Sequence, residues 1–244
     1  MKKSKLRILS TKKLNQEAID KASLNDIEID ELAFIKTEPI KDDELKSTLR
    51  GFLQQNITAV FTSKNAALAF DQIVNTELPW KIFCIGQATK KVTEKIFGVE
   101  RIIGIADNAE DLSNVILKDE EIKKVHFFCG NQRRDELPNK LKAEGIEVEE
   151  IIVYETIETP QKMSRKQYDG ILFFSPSAVK SYFSLNKLNE EIQVFAVGKT
   201  TADSILQNDK REIITAEIPG QENTIDLVIS HFSSTKTVKH AIEE

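Results

Sequence analysis

Two stretches of this chain repeat at a constant offset of 112 residues. Val60-Phe61-Thr62-Ser63-Lys64-Asn65-Ala66 returns as Leu172-Phe173-Phe174-Ser175-Pro176-Ser177-Ala178, and Ile85-Gly86-Gln87-Ala88-Thr89 returns as Val197-Gly198-Lys199-Thr200-Thr201. Each copy is an apolar run that breaks at small polar residues and resumes with helical spacing. That pattern marks a strand running into the start of a helix. In open α/β sheets such junctions hold ligands, because the first amides of a helix are free to bind anions. Two matching sets therefore imply two lobes that present the same kind of edge.

The length of 244 residues accommodates two cores of ordinary size. No run approaches the roughly 18 apolar residues needed to cross a bilayer. The basic start, Met1 to Arg7, is followed only by Ile8-Leu9, too short for a signal peptide. A cytoplasmic protein without membrane attachment is expected. Cys84 and Cys129 lie within apolar runs and read as reduced, buried hydrophobes. With no CxxC, no HExxH and His126, His231 and His240 far apart, no metal site is expected. A net charge of −5 argues against nucleic acid as a partner but not against an anionic small molecule.

Strand and helix alternate almost throughout, predicting an α/β fold with mainly parallel sheets covered on both faces. Strands are predicted at 6–10, 57–62, 81–85, 101–105, 124–129, 147–153, 170–174, 193–197 and 212–215, with a further extended run at 31–35. Helices are predicted at 42–54, 134–143 and 177–188. Two extended segments run into prolines, Ile35 to Pro39 and Val153 to Pro160, where helix is disfavoured. They read as a paired linker, at 37–39 and 153–159. One domain, 40–152, is thus inserted in another made of 1–36 plus 160–244. The tail, 233–244, reads as polar and frayed.

In this order the motifs resemble the uroporphyrinogen-III synthase family. The resemblance rests on Phe61-Thr62-Ser63-Lys64-Asn65-Ala66, Ile85-Gly86-Gln87-Ala88-Thr89, Gly130-Asn131-Gln132-Arg133-Arg134-Asp135-Glu136-Leu137 with Gly145, Val153-Tyr154-Glu155-Thr156, Phe173-Phe174-Ser175-Pro176-Ser177-Ala178 and Val197-Gly198-Lys199-Thr200-Thr201-Ala202. The family's opening threonine-arginine-proline turn is replaced by Ser10-Thr11-Lys12-Lys13, where Lys12 or Lys13 could supply the charge of the missing arginine. The resemblance implies two flavodoxin-like parallel-sheet domains joined by a two-stranded linker. It also implies a cyclising lyase of heme (tetrapyrrole) biosynthesis. The implied substrate is hydroxymethylbilane, an octacarboxylate closed with loss of water and inversion of the last pyrrole ring, without cofactor or metal. A monomer is expected.

Amides after Ser63, Gly86, Gly130, Ser175 and Gly198 then become candidate carboxylate ligands. Ser63, Lys64, Asn65, Thr89, Gly130, Ser175, Ser177, Gly198, Lys199, Thr200 and Thr201 are the candidate substrate contacts. Tyr154, matching the family's linker tyrosine, is the candidate general acid. Plainer roles compete: Ser63 and Ser175 suit helix N-caps, Thr89 and Thr201 suit a first helical turn, and Lys64, Arg133 and Arg134 read as solvated charges. The competing function is a catalytically silent two-lobed module that binds an anionic small molecule.

Overall fold

The computed structural model describes residues 5–73, 78–163 and 167–242, with side chains as far as residue 234. In chain order the elements are β1 (Leu6–Ser10), α1 (Gln16–Ser23), β2 (Ile27–Glu31), β3 (Ile35–Pro39), α2 (Asp43–Phe52), β4 (Thr58–Phe61), α3 (Lys64–Ile73), β5 (Lys81–Ile85), α4 (Gly86–Phe97), β6 (Ile102–Ala106), α5 (Ala109–Leu117), β7 (Lys124–Gly130), α6 (Glu136–Ala143), β8 (Glu147–Glu158), β9 (Gly170–Phe173), α7 (Pro176–Phe183), β10 (Gln193–Ala196), α8 (Lys199–Leu206), β11 (Ile214–Thr215) and α9 (Gln221–Ile242). They divide into two compact units: residues 1–36 with 158–244, and residues 37–157.

Among the described residues, the first unit holds a sheet of order β11-β10-β9-β1-β2, and the second a sheet of order β6-β5-β4-β7-β8-β3. In the first, β1 pairs in parallel with β2 and β9, and β10 with β9 and β11. In the second, β4 pairs in parallel with β5 and β7, β5 with β6, and β7 with β8. The first unit is the flavodoxin order 2-1-3-4-5, and the core of the second is the Rossmann order 3-2-1-4-5. Place for place, however, β9, β10 and β11 occupy the positions of β4, β5 and β6, while β1 and β2 occupy those of β7 and β8. The two sheets are one arrangement with the chain entering at different strands.

The repeat sits on this correspondence. Thr58 pairs with Lys81 and Phe61 with Cys84 across β4 and β5; Gly170 pairs with Gln193 and Phe173 with Ala196 across β9 and β10. The offset of 112 residues between the copies is thus also the offset between the two hydrogen-bond registers.

Strands buried on both faces need apolar side chains at every position. In the second unit Phe61, Cys84 and Phe128 face the core under α2, α3 and α4, while their neighbours Val60, Phe83 and Phe127 face the core under α5 and α6. Phe61, Phe70, Trp80 and Phe128 form an aromatic cluster there, the rings of Phe61 and Phe128 stacked at 5.0 Å. In the first unit Leu9, Ile171 and Phe173 face α7 and α8, while Ile8, Leu172 and Phe195 face α1 and α9.

The extended run at 31–35 resolves differently: the strand is β2, ending at Glu31, and 32–34 form a connection. Its backbone is still used, since the Leu32 and Phe34 amides donate to Ser10 O and Thr11 O. β8 continues through Tyr154 to Glu158, well beyond 153. At the C-terminus the backbone is helical to Ile242.

Candidate active site

In each sheet the order in which parallel strands are added reverses at one place, between β1 and β9 in the first unit and between β4 and β7 in the second. Beyond the carboxyl ends of the strands at that point the connections diverge and leave a crevice.

In the second unit this point is built from three strand ends. β4 ends at Phe61, and Ser63 introduces α3, its Oγ accepting from the Asn65 amide at 3.2 Å and its carbonyl from the Ala66 amide at 3.1 Å. β7 ends at Gly130, and β8 brings in Tyr154 from its far side. The tyrosine crosses over the end of β7. A Cβ on Gly130 would lie 2.4 Å from Tyr154 Cζ and 2.8 Å from its Oη, so only glycine leaves room for the ring. Having crossed, the phenol donates to Ser63 Oγ at 3.4 Å. Beside it a small cavity of about 120 Å³ is lined by Pro39, Asn65, Leu68, Gln72 and Tyr154 among others.

The turn after β7 is held against β8. The Asn131 amide donates to Tyr154 O at 3.2 Å, and Asn131 Oδ1 accepts from the Thr156 amide at 2.8 Å. The amide following Gly130, expected to bind substrate, is therefore already spent. Arg133 is ion-paired with Asp135 and Glu150, a structural use. Burial alone would raise the Glu150 carboxyl, but the ammonium of Lys142 and the guanidinium of Arg133 outweigh it and hold the group below its usual pKa. Cys129, next to this turn, is free, and burial pushes its thiol up to about 11.

In the first unit the equivalent point joins Thr11 to β9: its amide and its Oγ1 both donate to Leu172 O, at 3.0 and 2.8 Å. Lys12 follows, its Nζ 4.3 Å from the centre of the Phe174 ring. A cation is thereby placed one residue from Ser175, whose Oγ caps α7 by accepting from the Ala178 amide at 3.2 Å. Lys13 is exposed. Of the two lysines, Lys12 is thus the one held at the switch point.

The second pair of helix starts differs from the serine-led pair. α4 begins at Gly86, with φ of 72°, and α8 follows Gly198; neither Ile85 nor Gly198 provides a side-chain cap. The leading amides of a helix have no intrahelical partner, so these two starts offer donors without a competing hydroxyl. Pro219 packs close to Gly198, 3.3 Å from where a Cβ would stand. Lys199 and Thr200 are exposed at that edge, as is Lys64 at the start of α3. Thr89 and Thr201 stand at matching places but are only 5% and 3% exposed, so their side chains face inward.

The structure therefore brings Tyr154, Ser63, Asn65 and Gly130 together in one unit, and in the other sets Lys12 on Phe174, next to Ser175, with Ser177 in the first turn of α7. Leu68, Gln72 and the clamp made by Asn131 went unnoticed in the sequence. Leu68 and Gln72 follow Asn65 at helical spacings of three and seven, the one signal that could have placed them on its face.

Residues 17–226 match the family model described as uroporphyrinogen-III synthase HemD. The chain belongs to the uroporphyrinogen-III synthase family. A curated relative, the uroporphyrinogen-III synthase of Saccharomyces cerevisiae, is 25% identical over 202 residues, which is 72% of this chain and 70% of that protein. Among solved structures, a mutant uroporphyrinogen III synthase from the extremely thermophilic bacterium Thermus thermophilus is similar in fold, with a TM-score of 0.64 and 13% identity over 95% of this chain and 99% of that one. The uroporphyrinogen-III synthetase of Helicobacter pylori gives a TM-score of 0.64 at 18% identity, over 92% and 99%. Membership of this enzyme family leaves the alternative of a silent binding module without support. No helix among the described residues is long and apolar enough to cross a membrane.

Proposed function

We propose that this chain is a uroporphyrinogen-III synthase that cyclises hydroxymethylbilane with loss of water and inversion of the terminal pyrrole ring, a lyase step in tetrapyrrole and heme biosynthesis. The observation that carries the reading is the Tyr154 phenol, brought over Gly130 to within 3.4 Å of Ser63 Oγ at the switch point of a family member's sheet.

The departing hydroxyl leaves as water only if it receives a proton, and it leaves a delocalised cation behind. Tyr154 is the donor. A phenol is a weak acid, so its share of the rate is partial. Ser63 sets the direction of the phenol, and the cavity between α3 and β3 takes an apolar edge of the substrate against Leu68.

Acetate and propionate groups bind at the helix starts. Those after Gly86 and Gly198 provide backbone donors, with Lys199 and Thr200 at the second. In the first unit Lys12 adds charge beside Ser175 and Ser177; in the second Lys64 and Asn65 flank Ser63. Thr89 and Thr201, being buried, act by fixing the first turn of α4 and α8 rather than by touching substrate. An ammonium binds a carboxylate as a point charge, without the fork geometry of arginine, so the contact from Lys12 tolerates small shifts of the ligand. The fuller reading has the enzyme working as a cytoplasmic monomer without metal, cofactor or nucleic acid.

The test uses freshly generated hydroxymethylbilane and separates the type I and type III isomers. Wild-type chain gives the type III product above the spontaneous type I closure, and Tyr154→Phe lowers the turnover without abolishing it. An isomer ratio equal to that of buffer alone would overturn the assignment, and full activity of Tyr154→Phe would remove the tyrosine from the mechanism.

A further inference from the structure

Along β8 the alternation of a regular strand fails at one place. Ile151 and Val153 face the core beneath α3 and α4, and Ile152 between them is 44% exposed, as a period of two requires. Tyr154 should then point away from that core, yet it packs against it. The register explains why: Cys129 pairs with Ile152, but the next residue, Gly130, pairs with Tyr154, so Val153 is an extra residue on β8. A bulge of this kind turns the following side chain to the other face. Without it, the phenol would point away from Ser63.

A bulge leaves backbone groups out of the ladder, and something must hold them. Here the Ile40 amide donates to Val153 O at 3.0 Å. On the other side the turn after β7 takes over: the Asn131 amide donates to Tyr154 O, Asn131 Oδ1 accepts from the Thr156 amide at 2.8 Å, and Gln132 Nε2 donates to Thr156 O at 3.3 Å. The side chain of Asn131 thus replaces the missing strand partner just beyond the bulge.

We infer that Asn131 is a positioning residue for Tyr154: by closing the backbone after the bulge in β8 it fixes the direction of the phenol toward Ser63, without touching substrate itself. The inference rests on the reading of Tyr154 as the acid, and the experiment separates the two.

Asn131→Ala, Asn131→Asp, Tyr154→Phe and the double variant Asn131→Ala/Tyr154→Phe are assayed for type III formation, and the chain is labelled with 3-fluorotyrosine for fluorine NMR. The protein has three tyrosines, and the resonance missing from Tyr154→Phe identifies Tyr154. Asn131→Ala is expected to lower kcat about tenfold with KM changed less than about twofold, and to move or broaden the Tyr154 resonance alone. Asn131→Asp, which keeps the acceptor for the Thr156 amide, recovers part of the rate. In the Tyr154→Phe background, removing the Asn131 side chain adds little further loss, because two groups serving one function are not additive. An unmoved Tyr154 resonance in Asn131→Ala, or an equal loss of kcat with and without the tyrosine, would overturn the inference. A displaced resonance together with full activity in Tyr154→Phe would instead uphold the positioning and sink the acid. Should Asn131→Ala not fold, Asn131→Leu, of similar volume but without the acceptor for the Thr156 amide, carries the same comparison.

Discussion

Replacing Gly130 by alanine puts a methyl carbon 2.4 Å from Tyr154 Cζ, 2.7 Å from Cε2 and 2.8 Å from Oη. Ordinary contact begins near 3.4 Å, so the ring must retreat by about 1 Å. The phenol already stands 3.4 Å from Ser63 Oγ, at the outer limit of a hydrogen bond, and a retreat of that size breaks the contact. Misplacing a reacting group by about 1 Å costs on the order of 10²-fold in rate. A weak acid contributes only part of the catalysis, so a loss of about tenfold to 10²-fold in kcat is expected. The stability cost is smaller, about 1 kcal/mol at the low end for overpacking, because the half-buried ring has room to swing outward. For a chain of this length that lowers Tm by about 2–4 °C. The assay is the initial rate of type III formation at saturating hydroxymethylbilane, run beside a thermal melt. A Gly130→Ala enzyme that melts normally and keeps kcat within about twofold of wild type would refute the reasoning. So would a further loss when Gly130→Ala is added to Tyr154→Phe, since the alanine is held to act through the Tyr154 phenol alone.

Two further outcomes concern stability. Ser175→Ala removes the acceptor that caps α7 and is expected to cost about 1 kcal/mol, read as a fall in the urea midpoint at unchanged slope. Burial holds the His126 imidazole below its usual pKa, against the opposing pull of Glu149. The unfolded chain therefore takes up a proton where the folded chain does not, so the contribution is fully present above about pH 6.5 and declines as the pH falls below it. Urea midpoints at pH 7.5 and 5.5 are expected to differ less in His126→Leu than in wild type; an unchanged difference removes His126 as the cause.

Much of the framework was readable from residues alone, for reasons visible in the structure. Strands such as Lys81–Ile85 are buried on both faces, so they must be continuous apolar runs, and such runs have clear ends. The repeat was readable because equivalent strands pair in the same register. β2 was harder: as an edge strand it carries only Ile27 and Ile29 on its apolar face, and the more hydrophobic connection around Phe34 drew the prediction toward itself. The end of β8 was misplaced because the chain there is partly satisfied from outside the ladder, Thr156 by the Asn131 side chain and, just past the strand, Thr159 by Phe34 O. The bulge left no local trace, since Val153-Tyr154 reads like any strand pair until the register of β7 is known. In the site, Tyr154, Ser63 and Gly130 were readable as residue types. That the glycine makes room for the tyrosine ring emerged only from their distance.

The entry of the chain at different strands of one sheet arrangement also sets an order of assembly. The second unit is a single uninterrupted segment, so it can fold without waiting for the rest of the chain. The first unit must join Arg7 to Asp169 across 162 residues before β1 and β9 can pair. Once residues 37–157 have folded, β3 and β8 lie side by side in their sheet, and the open loop shrinks to a few tens of residues. The entropy saved is about 1 kcal/mol, enough to change a rate several-fold. During folding the inserted unit thus acts as an intramolecular template, bringing the distant halves of its host within reach.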